Sequence, residues 1–443
     1  MTRNYNILGM ISDEDNKDDD WTFADANTNL MTHGIHPYPA RMIPQVAERL
    51  ISKFASSERR NNDLCVDPFC GSGTVLVESK LKGINSIGID NNPLAVLISK
   101  VKTTPIPSSE LESEWSHLFK LLQRDISNSS RDVEIPPIKN LDYWFKPSVS
   151  NQLSIIKDKI MNEIRDGDGN DEEDDEAVAN FFKVCFSATI RKASNIRQGE
   201  FKLYRLQKEK LKVYSPSVLK IFSDIVKANI HRMDIFDRVV DKSVESHVVK
   251  GDTRKLLSLD PRKIHEGCAT LLITSPPYGD SHTTVAYGQF SRYSSAWLGY
   301  SENEVWNVDK VGLGGITFKE VEDLESPTLS EMIDQIQKID VHRAKELYSF
   351  FKDMDLCFNQ ISKTMKKGTS HICFVLGNRT VKRIKVKADR ILIELGNKHG
   401  FKHYNTYQRD IPNKTMPSMN APENTAAIKG ETISKENILI WKY

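Results

Sequence analysis

The chain has 443 residues, enough for one large core carrying sizeable insertions or for two units, and its 39 % hydrophobic and 27 % charged content is that of a globular protein in water. No apolar stretch approaches the roughly 18 residues of a membrane span, and no apolar run of signal-peptide type precedes Asp13, so neither secretion nor membrane spanning is expected and the cytoplasm is the expected compartment. The six cysteines form no Cys-x-x-Cys pair, which argues against structural zinc or a disulfide framework, and a net charge of +1 provides no global attraction for nucleic acid.

Residues 1–30 are acidic and asparagine-rich, with little to bury, and read as a flexible acidic arm. After His36-Pro-Tyr-Pro39, Ile43, Val46, Ala47, Leu50, Ile51 and Phe54 fall on one helical stripe, with Pro44 tolerable in the first turn. Leu64–Asp67 reads as a short strand, followed by a glycine turn and a helix from about 74 to 82. Ile84–Asp90 reads as the second strand, and Asn91-Asn-Pro opens the next helix. Strand, turn, helix and strand with an acidic end are the opening of a doubly wound α/β sheet.

The alternation then breaks. Residues 107–245 carry helical stripes, among them Trp115, Leu118, Phe119 and Leu122, and then Leu153, Ile156 and Ile160. Eight acids between Asp166 and Glu176 read as an exposed loop inside this mostly helical insertion. From Arg191 to Lys212 eight basic residues stand against Glu200 and Glu209, with Tyr204 and Tyr214 interspersed, a composition that fits a phosphate-tracking surface as well as a plain solvated face. The sheet resumes at Glu245–Val249 and Ala269–Thr274. Residues 279–335, rich in Gly, Ser, Thr and Tyr, read as a mobile loop over the site. A helix over 343–366, strand His371–Leu376, a helix near 386–397 and strand Asn437–Trp441 close the core. The division is thus an arm, a first core part at 31–106, the insertion at 107–245 as candidate recognition region, and a second core part at 246–443.

Two short motifs carry chemistry. In Asp67-Pro-Phe-Cys-Gly-Ser-Gly-Thr74, Gly71 and Gly73 let the backbone turn tightly and approach a ligand, while Asp67 can accept a hydrogen from a cationic amine. Asp90, at the end of the next strand and beside Asn91, is placed to bind ribose hydroxyls, and Asp252 to accept from an adenine amino group. An acid at Asp67 would repel a pyrophosphate, so S-adenosylmethionine is favoured over a dinucleotide. Cys70, inside this turn, reads as a packing residue. In Thr274-Ser-Pro-Pro-Tyr278, Pro276 and Pro277 end a buried strand rigidly. The Ser275 and Pro276 carbonyls and the Ser275 hydroxyl are left to accept hydrogens from an exocyclic amine, with the ring of Tyr278 as a stacking surface.

On these motifs the chain resembles the S-adenosylmethionine-dependent exocyclic-amino DNA methyltransferases, in particular the N4-cytosine type of restriction-modification systems. The match runs through His36-Pro-Tyr-Pro39, Asp67–Thr74, Asp90, Asp252, Thr274–Tyr278 and the tail Arg409–Pro417. The resemblance implies a Rossmann-like class I methyltransferase sheet with a large helical insertion. It implies S-adenosylmethionine held by His36, Tyr38, Asp67, Phe69, Gly71, Gly73, Asp90, Asn91 and Asp252, and a flipped base at Ser275, Pro276, Pro277 and Tyr278. It also implies double-stranded DNA as substrate, a companion restriction endonuclease and no metal. Arg191, Lys192, Arg197, Lys202, Arg205 and Arg292 are the candidate DNA contacts, and Tyr287, Arg292, Tyr293 and Trp297 the candidate pocket wall. Serine in the first position of the tetrad is more usual for cytosine enzymes. The chain departs from many of them in carrying the cofactor half first. N6-adenine methylation, RNA guanine-N2 methylation and a noncatalytic nucleic-acid-binding subunit are the alternative readings.

Overall fold

The computed structural model describes residues 20–55, 63–128, 134–164, 172–279, 285–412, 419–420, 430–431 and 433–443. Seven strands form the central sheet: β1 (Leu64–Asp67), β2 (Asn85–Asp90), β3 (Ser246–Lys250), β4 (Leu271–Thr274), β5 (His371–Leu376), β6 (Lys402–Asp410) and β7 (Lys435–Lys442). They lie in the order β3-β2-β1-β4-β5-β7-β6. The first five pair in parallel, and β7 runs antiparallel between β5 and β6. The strand order therefore reverses between β1 and β4, and a crevice opens beyond the carboxyl ends of those two strands.

The central strands are apolar on both faces because helices cover both. Val66, Leu272, Ile372, Phe374 and Leu439 point to one layer, which includes the helices Pro327–Gln337, Val341–Thr364 and Ala388–Lys398. Cys65, Leu271, Ile273, Cys373, Val375, Ile438 and Ile440 point to the other, under the helix Pro44–Phe54. The insertion supplies helices Ser108–Ser127, Pro147–Asn162, Glu172–Ala193 and Val218–Val239. Its core joins that of the sheet through Val77, Leu94, Ile98 and Val101, so these helices extend the main core.

Three expectations change. The end of the arm is packed: Trp21 is fully buried with Val46, Leu50 and Ile438, and its ring centroid lies 4.9 Å from that of Tyr407. Residues 1–19 lie outside the described residues. The acidic run is helical from Glu172, where Glu172–Ala193 begins, while 165–171 are outside the described residues. Most of the expected loop at 279–335 is helix, at Tyr287–Trp297, Glu302–Trp306, Val308–Val311 and Pro327–Gln337, with 280–284 outside the described residues. Phe290, Tyr293 and Trp297 share one face of the first of these and bury it in the insertion core. Strand β6 had no counterpart in the sequence reading. It lies at the sheet edge and its side chains are largely exposed, so it lacks the apolar alternation that marks a half-buried strand.

Candidate active site

The crevice between β1 and β4 is a cleft of about 990 Å³ counted out to open solvent, and Tyr38, Asp67–Ser72, Asp90–Asn92, Asp252, Ser275 and Tyr287 are among the residues lining it. Its floor is set by the turn after β1. Gly71 has φ +50° and Gly73 +78°, left-handed conformations that other residues seldom hold, and a Cβ on Gly73 would come within 2.8 Å of Ser99 Oγ. The Gly71 N–H donates to Asp90 Oδ2 (2.9 Å) and the Asn92 N–H to Asp90 Oδ1 (2.8 Å), so the second strand's acid holds the first strand's turn. Asn92 caps the helix Pro93–Thr103 and donates to the Tyr38 hydroxyl (3.2 Å), which brings the His-Pro-Tyr-Pro element to the cleft wall.

Asp67 stands at the switch point itself. Its Oδ1 accepts from Thr274 Oγ1 at the end of β4 (2.6 Å) and from the Phe69 N–H (3.2 Å). Burial pushes this carboxyl up to about 7 against those two hydrogen bonds, and burial likewise pushes Asp90 up to about 6. A carboxyl held near 7 instead of 3.8 carries roughly 4 kcal/mol of unfavourable charge burial, which a cationic ligand would relieve. Two further wall residues, Ser72 and Thr74, have buried hydroxyls with no hydrogen-bond partner among the described residues. Among the described residues, Asp67, Asp90, Asp252 and Asp309 stand on the wall against Arg41 as the sole Lys or Arg, so the cleft suits a cationic, hydroxyl-bearing ligand and disfavours phosphate. S-adenosylmethionine, with its ammonium, sulfonium and ribose, fits that donor set. Ser72, Thr74 and Arg41 were missed as site residues by the sequence reading, although the motif already contained Ser72 and Thr74, whereas the 308–313 wall falls inside the 279–335 segment expected over the site.

Across the cleft, Ser275 and Pro277 line the wall while Pro276 is buried. Tyr278 is half-buried, its ring against Gly377, where a Cβ would stand 3.3 Å from the ring carbons. Its hydroxyl donates to Glu436 Oε1 (2.6 Å) and lies 3.4 Å from Ser275 Oγ. Burial and the neighbouring Glu436 push this phenol well up, so it stays protonated.

Several expected residues sit elsewhere. His36 is buried behind the wall, its Nε2 3.0 Å from Ser187 Oγ on the insertion, and does not line the cleft. Burial holds it down to about 3, so it is a neutral link between the two units. Gly73 shapes the turn without lining it. The Asp252 carboxylate is held by Arg254 through Nε at 2.9 and 3.0 Å and Nη2 at 2.8 Å, so it faces an arginine as well as the cleft. Arg254 in turn pairs with Asp353 (2.8 Å) and donates to the Val311 carbonyl (2.8 Å), clamping the 308–313 wall. Cys70 packs with Leu76, Val96 and Val248. Of the expected pocket wall, Tyr287 is present, its ring stacked on Tyr38 at 6.0 Å, but Tyr293 and Trp297 point into the insertion core beside Phe145.

The basic segment is joined to the cleft through Phe290. The Arg191 guanidinium lies 4.6 Å from that ring's centroid and Phe201 5.9 Å, and Phe290 meets Tyr38 edge-on at 5.8 Å. Arg205 lies over Tyr143 (4.0 Å) and Arg292 over Trp306 (4.3 Å), so these cations are stacked on rings. Lys192 and Arg197 are exposed and Lys202 half-buried.

A family profile described as DNA methylase, covering N6 and N4 enzymes, matches residues 5–101. The chain is 38 % identical to the Type II methyltransferase M.MvaI of Kocuria varians over 95 % of its own length and 93 % of that protein. It is 47 % identical to the Type II methyltransferase M.MjaII of Methanocaldococcus jannaschii over 16 % of this chain and 12 % of that one. Among solved structures, the rRNA methyltransferase aviRa of Streptomyces viridochromogenes aligns over 92 % of this chain and 88 % of its own at a TM-score of 0.29 and 9 % identity, too distant to bear on function. Among the described residues no helix is long and apolar enough to cross a membrane, and no cluster of His, Cys, Asp and Glu is arranged to hold a metal.

Proposed function

We propose, for a chain that belongs to the Type II DNA methyltransferases of the N6/N4 family and uses S-adenosylmethionine, that the reaction is methylation of the exocyclic N4 of cytosine in double-stranded DNA. The observation that carries this reading is Ser275. Its neutral hydroxyl lies on the wall of the same cleft as the acidic cofactor turn, at the end of the strand whose Thr274 is bonded to Asp67. Serine at this position is also what the resemblance to the cytosine enzymes rests on.

Asp67, Ser72, Thr74, Asp90 and Tyr38 would hold S-adenosylmethionine, which supplies an electrophilic methyl group when bound. The target cytosine leaves the duplex, because a stacked and paired amino group cannot reach this cleft. Ser275 Oγ accepts an amino hydrogen, which orients the nitrogen lone pair and raises its electron density. Tyr278 presents its ring to the base. Alignment rather than a strong base lowers the barrier, and the amino proton leaves to solvent after transfer. Lys192, Arg197 and Lys202 are assigned to DNA phosphates beside the cleft, with Arg191, Arg205 and Arg292 supporting that surface from their aromatic stacks. A companion restriction endonuclease, sharing the recognition sequence, is the expected partner.

The test is transfer of radiolabelled methyl from S-adenosylmethionine to unmethylated genomic DNA, followed by digestion to nucleosides and mass analysis. N4-methylcytosine is expected. N6-methyladenine would overturn the cytosine assignment while leaving the cleft chemistry in place.

A further inference from the structure

Behind Tyr278 lies an ion pair that the transfer reaction as described does not use. Arg409 on β6 and Glu436 on β7 are directly paired across the two antiparallel strands. The Arg409 side chain is 6 % exposed. It donates to Glu436 Oε2 and to the main-chain carbonyls of Trp21 (3.0 Å) and Thr22 (3.3 Å), so the guanidinium is fixed by both ends of the chain. The other oxygen of Glu436 accepts from Tyr278. Ion pairs removed from water seldom add net stability over apolar residues of the same size, so stability alone does not account for one placed here.

The hydrogen-bond inventory gives the pair a direction. A guanidinium only donates and a carboxylate only accepts, whereas a phenol or serine hydroxyl has one hydrogen to give. Tyr278 therefore spends its hydrogen on Glu436 Oε1 at 2.6 Å. Its oxygen is left to accept, and among the described residues the group within reach is the Ser275 hydroxyl at 3.4 Å, a long contact. When Ser275 turns its hydrogen toward Tyr278, its lone pairs face the cleft. Every hydrogen in the row then points away from the substrate, toward Glu436.

We infer that Glu436, fixed by Arg409, is a positioning residue that sets the polarity of Tyr278 and Ser275, so that Ser275 meets the substrate's amino group as a hydrogen-bond acceptor. The inference rests on the amino-methylation reading above. Gly377 belongs to the same device: a Cβ there would stand 2.6 Å from Ile433 Cγ2 and 3.3 Å from the Tyr278 ring, so a glycine at this position leaves the space in which the ring lies close against the strand end.

The inference predicts an unusual order of effects. In Glu436→Gln the amide oxygen must face Arg409, which can only donate, and the amide N–H then faces Tyr278. Tyr278 becomes an acceptor there, its hydrogen turns to Ser275, and the Ser275 hydrogen turns to the cleft, where it opposes the amino group. Single-turnover methyl transfer at saturating DNA is expected to fall at least about tenfold in E436Q, with cofactor affinity and the KM for DNA within about twofold of wild type. Glu436→Asp keeps the polarity and is expected to fall between E436Q and wild type. In a Tyr278→Phe background neither substitution should slow transfer further, because no hydroxyl remains to relay the polarity.

A wild-type rate in E436Q, or losses in Y278F and E436Q that multiply in the double variant, would overturn the inference. If E436Q does not accumulate as folded protein, E436D in the two backgrounds carries the same comparison, and equal losses with and without the Tyr278 hydroxyl overturn it. A wild-type enzyme that binds S-adenosylmethionine yet methylates no DNA would instead overturn the function assigned above, and this role with it.

Discussion

The two halves of the cleft are built and charged in opposite ways. On the cofactor side, most of the wall residues come from one stretch of chain, Tyr38 to Asn92, and brace one another through Gly71, Asp90 and Asn92. On the target side, Ser275 and Tyr278 are braced by Gly377, Glu436, Arg409 and the main chain of Trp21, from both ends of the sequence. The charges differ as well. Asp67 and Asp90 are carboxyls pushed upward by burial, whereas Glu436 is already paired with Arg409. A cationic cofactor calls for negative charge not already matched by a protein cation and a neutral base for oriented dipoles, and each side supplies what its ligand needs.

Substitutions that separate binding from turnover test this contrast. The largest effect is expected for Ser275→Ala, a loss in kcat on the order of 10²-fold with the cofactor Kd unchanged, read by single-turnover transfer alongside calorimetry. A comparable loss of cofactor affinity would mean that the two sides are not independent. Asp67→Asn preserves an acceptor for Thr274 but removes a charge, and should weaken cofactor binding by about 10- to 100-fold, the equivalent of roughly 1.5–3 kcal/mol.

The same contrast has a pH signature. A cationic ligand binds the ionised carboxylates, so affinity is full above the value of about 7 at Asp67. It declines as that group takes up a proton, and declines again below about 6 as Asp90 does. Titration calorimetry from pH 8 to pH 5 should show this fall in wild type and lose its upper step in Asp67→Asn. The smallest effect is expected outside the cleft. Arg197→Ala should weaken DNA binding a few-fold for every sequence and reduce the salt dependence by about one phosphate contact, with transfer at saturating DNA unaltered.

The same division governs how much could be read from sequence. The cofactor side was legible because its signals are contiguous: a buried strand, glycines where the chain must turn, and an acid one strand later. The two strands and the helix Thr74–Leu81 fall within a residue or two of the expected positions. In the 279–335 segment the Gly- and Ser-rich composition drew attention to a loop, although Phe290, Tyr293 and Trp297 already recur at helical spacing. His36 is assigned to the cofactor by the resemblance, through the His36-Pro-Tyr-Pro39 element. In the structure the Nε2 of its ring reaches Ser187, 151 residues away, a partner that no local pattern names.

By itself, then, the sequence determined the parallel sheet, the acidic glycine turn at its first strand and the rigid Ser-Pro-Pro-Tyr end of its fourth. Each follows from short-range sterics and from the period of apolar residues, which are written over a few consecutive positions. The tertiary structure decided which buried polar groups meet. It placed Asp67 against Thr274, Asp252 against Arg254, and Tyr278 against a glutamate whose partner arginine is anchored to the other end of the chain. Such pairs form where desolvation makes an unmatched charge or hydroxyl costly, and that cost depends on burial, which is set only when distant segments pack together.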